Sequence, residues 1–151
     1  QQVVHTGSQQ ASSSLEIIGN VYGTATTAGA ASLESIQFTV GNTAGGTPID
    51  ISQMLVTFTS GTKSEVIPRS ENWYYENPTG GHWAVIKTYN DIGGQNHLLE
   101  SGEQFVLKIV FPTEAELKPN TEFTVNLQPA VGAVYPIKKT VPEYLNKVNI
   151  L

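Results

Sequence analysis

The chain has 151 residues, enough for one domain that buries a core without help from a metal or disulfide. Only 14% of residues are charged, where about 25% is usual, and sixteen Thr, eleven Ser and ten Asn take their place. A net charge of -5 argues against nucleic acid and anionic lipid as partners, since both are held by Lys and Arg, and the absence of cysteine excludes thiolate zinc sites, iron–sulfur clusters and disulfides.

Residues 1–14 are polar and small, with Val3 and Val4 as a weak apolar pair. They bury too little area to offset the entropy of ordering them, and read as a linker or the residual end of an upstream segment. The opening Gln-Gln-Val-Val-His, without Met, reads as a processed or trimmed product.

Residues 15–151 read as a single β-domain. Leu15–Gly23 is a weak strand in which Gly19 marks a bulge or close backbone approach. Leu33–Val40 alternates, with Ile36, Phe38 and Val40 on one face and Ser35, Gln37 and Thr39 on the other. Between these two, Ala25–Ser35 holds at most a short helical turn. Met54–Ser60 and His82–Tyr89 are strand-like in β-branched and aromatic content. Gln104–Phe111 points Phe105, Leu107, Ile109 and Phe111 inward, and its other face carries Val106 and Val110 around Lys108. Glu122–Gln128 alternates through Phe123, Val125 and Leu127. Val134–Val141 and Lys147–Leu151 are short candidates. Gly and Pro clusters punctuate the whole run, and no apolar stretch reaches the roughly 18 residues of a membrane span. The expected fold is all-β, an antiparallel β-sandwich of immunoglobulin-like layout.

No catalytic signature is present: no Gly-x-Ser-x-Gly, His-Glu-x-x-His, Gly-x-Gly-x-x-Gly or Walker loop. The close carboxylates Glu71/Glu76, Glu100/Glu103 and Glu114/Glu116 read as solvated loop charge. Trp73, Tyr74, Tyr75, His82, Trp83 and Tyr89 concentrate aromatic surface. Either Trp83 and one of Tyr74 and Tyr75 are core, or Trp73, Tyr74 and Tyr75 form a platform for sugar rings. The loop from Asn90 to Asn96 holds hard oxygen donors spaced by glycines. Asn90, Asp91, Gln95 and Asn96 are candidate ligands for a divalent cation such as Ca²⁺, and equally the makings of a plain turn. Asp50 is a second candidate oxygen ligand, or else a cap on nearby backbone.

The order of segments carries a resemblance. Gly19-Asn20-Val21-Tyr22-Gly23 precedes a Thr/Ala/Gly stretch and Ile36-Gln37-Phe38-Thr39-Val40. Then come Ala44-Gly45-Gly46-Thr47-Pro48-Ile49-Asp50-Ile51-Ser52, Leu55-Val56-Thr57-Phe58 and Leu98-Leu99-Glu100-Ser101-Gly102-Glu103-Gln104-Phe105. This series resembles the archaellins, the filament subunits of the archaeal flagellum, over nearly the whole chain from Leu15. The resemblance implies an extracellular, non-enzymatic subunit of a cell-surface filament that supports swimming and surface adhesion. Its partners would be copies of itself, with no nucleic acid and no membrane contact by this domain. It further implies a type IV pilin-like apolar helix ahead of residues 1–14, so that the present chain is the outer domain alone. No cofactor is required, and a structural cation in the outer domain is implied, for which the Asn90 to Asn96 loop is the nearest match. Val106 and Val110 are a candidate assembly contact. The alternative reading is a secreted carbohydrate-binding or adhesive module on Trp73, Tyr74 and Tyr75.

Overall fold

Alternating apolar side chains build the middle of the molecule. The computed structural model describes residues 15–43, 47–91 and 96–151. In chain order the strands are β1 (Leu15–Thr24), β2 (Ser35–Asn42), β3 (Ile49–Asp50), β4 (Leu55–Ser60), β5 (Lys63–Ile67), β6 (Arg69–Tyr74), β7 (Trp83–Tyr89), β8 (Leu98–Leu99), β9 (Gln104–Val110), β10 (Glu122–Gln128), β11 (Tyr135–Thr140) and β12 (Val148–Ile150). Short 3-10 turns occupy Ile51–Gln53 and Thr113–Ala115.

The strands form a six-stranded sheet in the order β12-β1-β2-β9-β7-β6, a four-stranded sheet β11-β10-β4-β5, and the small pair β3-β8. One core joins them. Ile36, Phe38 and Val40 of β2 and Phe105, Leu107 and Ile109 of β9 meet Val56 and Phe58 of β4 and Phe123, Val125 and Leu127 of β10. This is the expected sandwich. At its centre the rings of Phe58, Phe111 and Phe123 pack with centroids 5.2–6.4 Å apart and tilted or edge-on, the arrangement that ring quadrupoles favour.

Three differences from the sequence reading have physical causes. The pairing is antiparallel except for β6 and β7, which run parallel after residues 75–82 return the chain to the starting end. Residues 25–34 form turns, tied to the C-terminal segment by Ala25 N–H donating to Lys147 O at 3.0 Å and Gly29 N–H to Leu145 O. Strands β5 and β6 carry no period in the sequence, because their side chains do not alternate in burial. Lys63 through Val66 are all exposed on an edge, so no buried face imposes a period.

The bulge expected at Gly19 is present. The β1–β2 register shifts between Ile18 and Tyr22, and Gly19 sits at φ 76, where other residues are strained. Gly23 answers a different need: a Cβ there would lie 2.8 Å from Leu33 Cδ1 and 3.1 Å from Leu151 Cδ1.

Candidate functional site

The candidate loop leaves β7 at Tyr89 and re-enters through β8 and the turn before β9. Asn90 adopts the left-handed region at φ 56, which Asn tolerates, and its Nδ2 donates to Gly102 O at 3.3 Å. Asp91 Oδ1 is buried and makes no hydrogen bond among the described residues. Gln95 lies outside the described residues. Asn96 Oδ1 accepts from Leu98 N–H at 3.2 Å, and its backbone carbonyl accepts from the Tyr74 hydroxyl at 2.9 Å. Two of the four predicted ligands are therefore engaged in holding the loop, and Asp91 is the one with a carboxylate oxygen to spare.

Glu100 and Glu103 are not solvated loop charge. Glu103 is 1% exposed, and its Oε1 accepts from Glu100 N–H at 2.6 Å, closing the turn at Ser101 and Gly102. Glu100 Oε2 is a second buried oxygen without a partner among the described residues. A buried acceptor left unpaired costs about 1–3 kcal/mol. Negative charge also reaches Tyr74. Burial first, then Tyr75, the charge of Asp91, a hydrogen bond with Tyr75 and the charge of Glu103 hold its hydroxyl well above its ordinary value of about 10. Tyr74 therefore stays a neutral donor to Asn96 at physiological pH. Among the described residues no three His, Cys, Asp or Glu side chains converge. Asp91 is the one of the four predicted ligands that carries a carboxylate, the hard-oxygen donor a divalent cation of the Ca²⁺ type takes.

Asp50 turns out to be a cap. Its Oδ1 accepts from Ser52 N–H at 3.0 Å and from the Ser52 hydroxyl at 2.5 Å, starting the 3-10 turn at Ile51.

The aromatic residues do not make a platform. Trp73 is 7% exposed and packs edge-on to Trp83, Tyr74 and His97 at 5.9, 5.3 and 4.6 Å, with the Arg69 guanidinium 4.7 Å from its ring. Tyr74 and Tyr75 are nearly perpendicular, at 77°. Coplanar exposed rings, which sugar stacking needs, are absent from this set. The rings instead close the end of the core next to the loop, and both Trp73 and Trp83 belong to that core.

The candidate contact strip offers little free surface. Val106 is 6% exposed and Val110 half-buried. Their neighbours across the sheet, Thr39 and Lys87 beside Val106 and Ser35 beside Val110, line the same face.

A family profile described as archaeal-type flagellin matches residues 1–139. The chain belongs to the archaeal-type flagellin family. Archaeal-type flagellins are structural rather than enzymatic, and build the cell-surface filament of the archaellum. A probable flagellin 1 of Archaeoglobus fulgidus is 27% identical over all of this chain and 76% of its own length. Two solved structures share the fold. The archaeal flagellum of Methanospirillum hungatei aligns at 21% identity and a TM-score of 0.70, covering 99% of this flagellin chain and 78% of the other. The crystal structure of flagellin FlaB1 from Methanocaldococcus jannaschii aligns at 19% identity and a TM-score of 0.71, covering 91% and 96%.

Proposed function

We propose that this chain is a structural subunit of an archaellum filament whose sandwich meets the surrounding water, passes motor torque along the filament for swimming, and serves adhesion to surfaces. Its partners are further copies of itself. The observation that carries the reading is the family match over residues 1–139 on an all-β sandwich. The low charge and the Thr, Ser and Asn content suit a sheet surface that stays hydrated as the filament turns in water. The test is disruption of the gene in its host. The expected result is loss of spreading in soft agar and loss of filaments by electron microscopy, both restored by the intact gene. Cells that still swim with normal filaments would overturn the reading.

A divalent cation of the Ca²⁺ type belongs to the same proposal as a structural element. Asp91 would hold it with Asn90, Gln95 and Asn96, and the buried Asp91 Oδ1, without a hydrogen bond among the described residues, supports this. The cation would supply positive charge to an oxygen-rich loop and fix the β7–β8 connection. At a hundredfold excess over Kd, binding to the native state adds about 2.7 kcal/mol, or roughly 5–10 °C in melting temperature at this chain length. Chelator is expected to lower the melt by that amount, and Asp91→Ala to remove the difference. A melt unchanged by chelator and by Asp91→Ala would eliminate the site.

A further inference from the structure

We propose that the outer face of the β1–β12 edge is a contact for a second copy of this chain, where it seats against the outer face of the β4–β5 edge. The inference deepens the filament reading and rests on it. On the first edge the register sets Tyr22 opposite Ile150 and Thr24 opposite Val148. Asn149, between them, turns the other way, buried and donating to Gly23 O at 3.2 Å. Tyr22, Val148 and Ile150 therefore share the solvent side, exposed at 39%, 62% and 67%. On the second edge Val66 stands opposite Thr57, with Leu55 two residues along on the same face. Their neighbours Val56 and Ile67 point into the core, while Leu55 and Val66 are exposed at 43% and 58%.

Single exposed apolar residues are ordinary on any protein. Here strand register gathers them, and on each face they stand beside a sheet edge that no described strand pairs. Neither patch carries a charge. Tyr22, Thr24, Val148 and Ile150 meet Leu55, Thr57 and Val66, so pressing them together takes no ion out of water.

The occupant follows from geometry and size. One patch lies on the outside of the six-stranded sheet and the other on the outside of the four-stranded sheet. A contact between two different faces leaves each copy with an unused patch on its far side. Association of that kind does not stop at two: it generates a ring where the rotation closes and an open helical array where it does not, and the filament reading selects the second. Three or four side chains on each side cover far less than the ~1,000 Å² that a stable interface needs. The contact is thus too small to hold free copies together in dilute solution. It fits copies already gathered by other contacts in a polymer, where effective concentration is high.

These 151 residues hold no cysteine, so an introduced thiol is the only one within them. Filaments would be assembled in the host from the full chain carrying Ile150→Cys and Val66→Cys together. They would then be treated with a short bis-maleimide and separated under denaturing conditions. The expected result is a ladder of covalent multimers from the double variant and monomer from each single variant. The pair Val148→Cys and Leu55→Cys repeats the test one position away, and a ladder from either pair supports the contact. Intact filaments with no ladder from both pairs overturn it, and leave the filament reading standing. Dimers from Ile150→Cys alone also overturn it, because they require like patches to meet. Absence of filaments from the unsubstituted chain overturns the filament reading itself.

Discussion

Phe58→Ala is expected to cost about 3–5 kcal/mol of folding free energy. Phe58 is wholly buried, and its ring lies 5.2 Å from that of Phe111 and 6.4 Å from that of Phe123. Phe111 follows the six-stranded sheet and Phe123 belongs to the four-stranded one, so the removed ring spans the two layers. Strands β4 and β10 are hydrogen-bonded to each other, and the backbone cannot settle into the space without breaking that ladder. The cavity should therefore persist. Against a total of about 5–15 kcal/mol for a native domain, the loss is severe. Urea denaturation should show the midpoint falling by about a fifth or more with little change in slope. A midpoint within error of the parent would mean that the two sheets are held by something other than this aromatic contact. Val66→Ala, on an exposed edge, is the control and should move stability by about 0.5 kcal/mol or less.

The second large effect is expected at Asn149. Its Oδ1 accepts from Asn146 N–H at 2.9 Å, and its Nδ2 donates to Asn146 O at 2.9 Å and Gly23 O at 3.2 Å. One side chain thus ties the last loop to itself and to β1. Asn149→Ala leaves these groups unpaired in a site nearly closed to water, which costs about 2–3 kcal/mol. The damage should be local. Hydrogen exchange should accelerate in Val148–Leu151 and at the β1 amides that face them, while β9 and β10 keep their protection. Uniform loss of protection over both sheets would show that β12 belongs to the global folding unit. The result also bears on assembly, because β12 carries Val148 and Ile150.

Much of the fold is legible in the residues. Strands β2, β9 and β10 announce themselves by alternation, because each buries one face and leaves the other half-covered. The Gly19 bulge is legible because glycine inside an extended segment has few other uses. Strands β5 and β6 are not, since an exposed edge sets no pattern, and β3 and β8 are too short to carry one. Ser35 shows the limit of alternation. It sits on the expected polar face yet is buried, its hydroxyl bonded to that of Thr24.

The site was harder to read. Asp91 stood out as the one acid in a Gly/Asn loop. Glu103 looked like ordinary turn charge, and nothing local signals that its carboxylate folds back onto Glu100 N–H. Trp73 shares a run with Tyr74 and Tyr75, yet the strand's geometry sends Trp73 to the core and Tyr75 to the surface. Both outcomes depend on what the rest of the chain places overhead.

The position of β1 has a mechanical consequence. Leu15 opens a strand seated between β2 on one side and β12 on the other. A pull on the chain just ahead of Leu15, directed along the strand, loads the β1–β2 hydrogen bonds in shear, all at once. A pull across the strand would instead peel them one by one. Tension entering along β1 from its amino-terminal side is thus shared across the β1–β2 ladder rather than taken by one bond at a time.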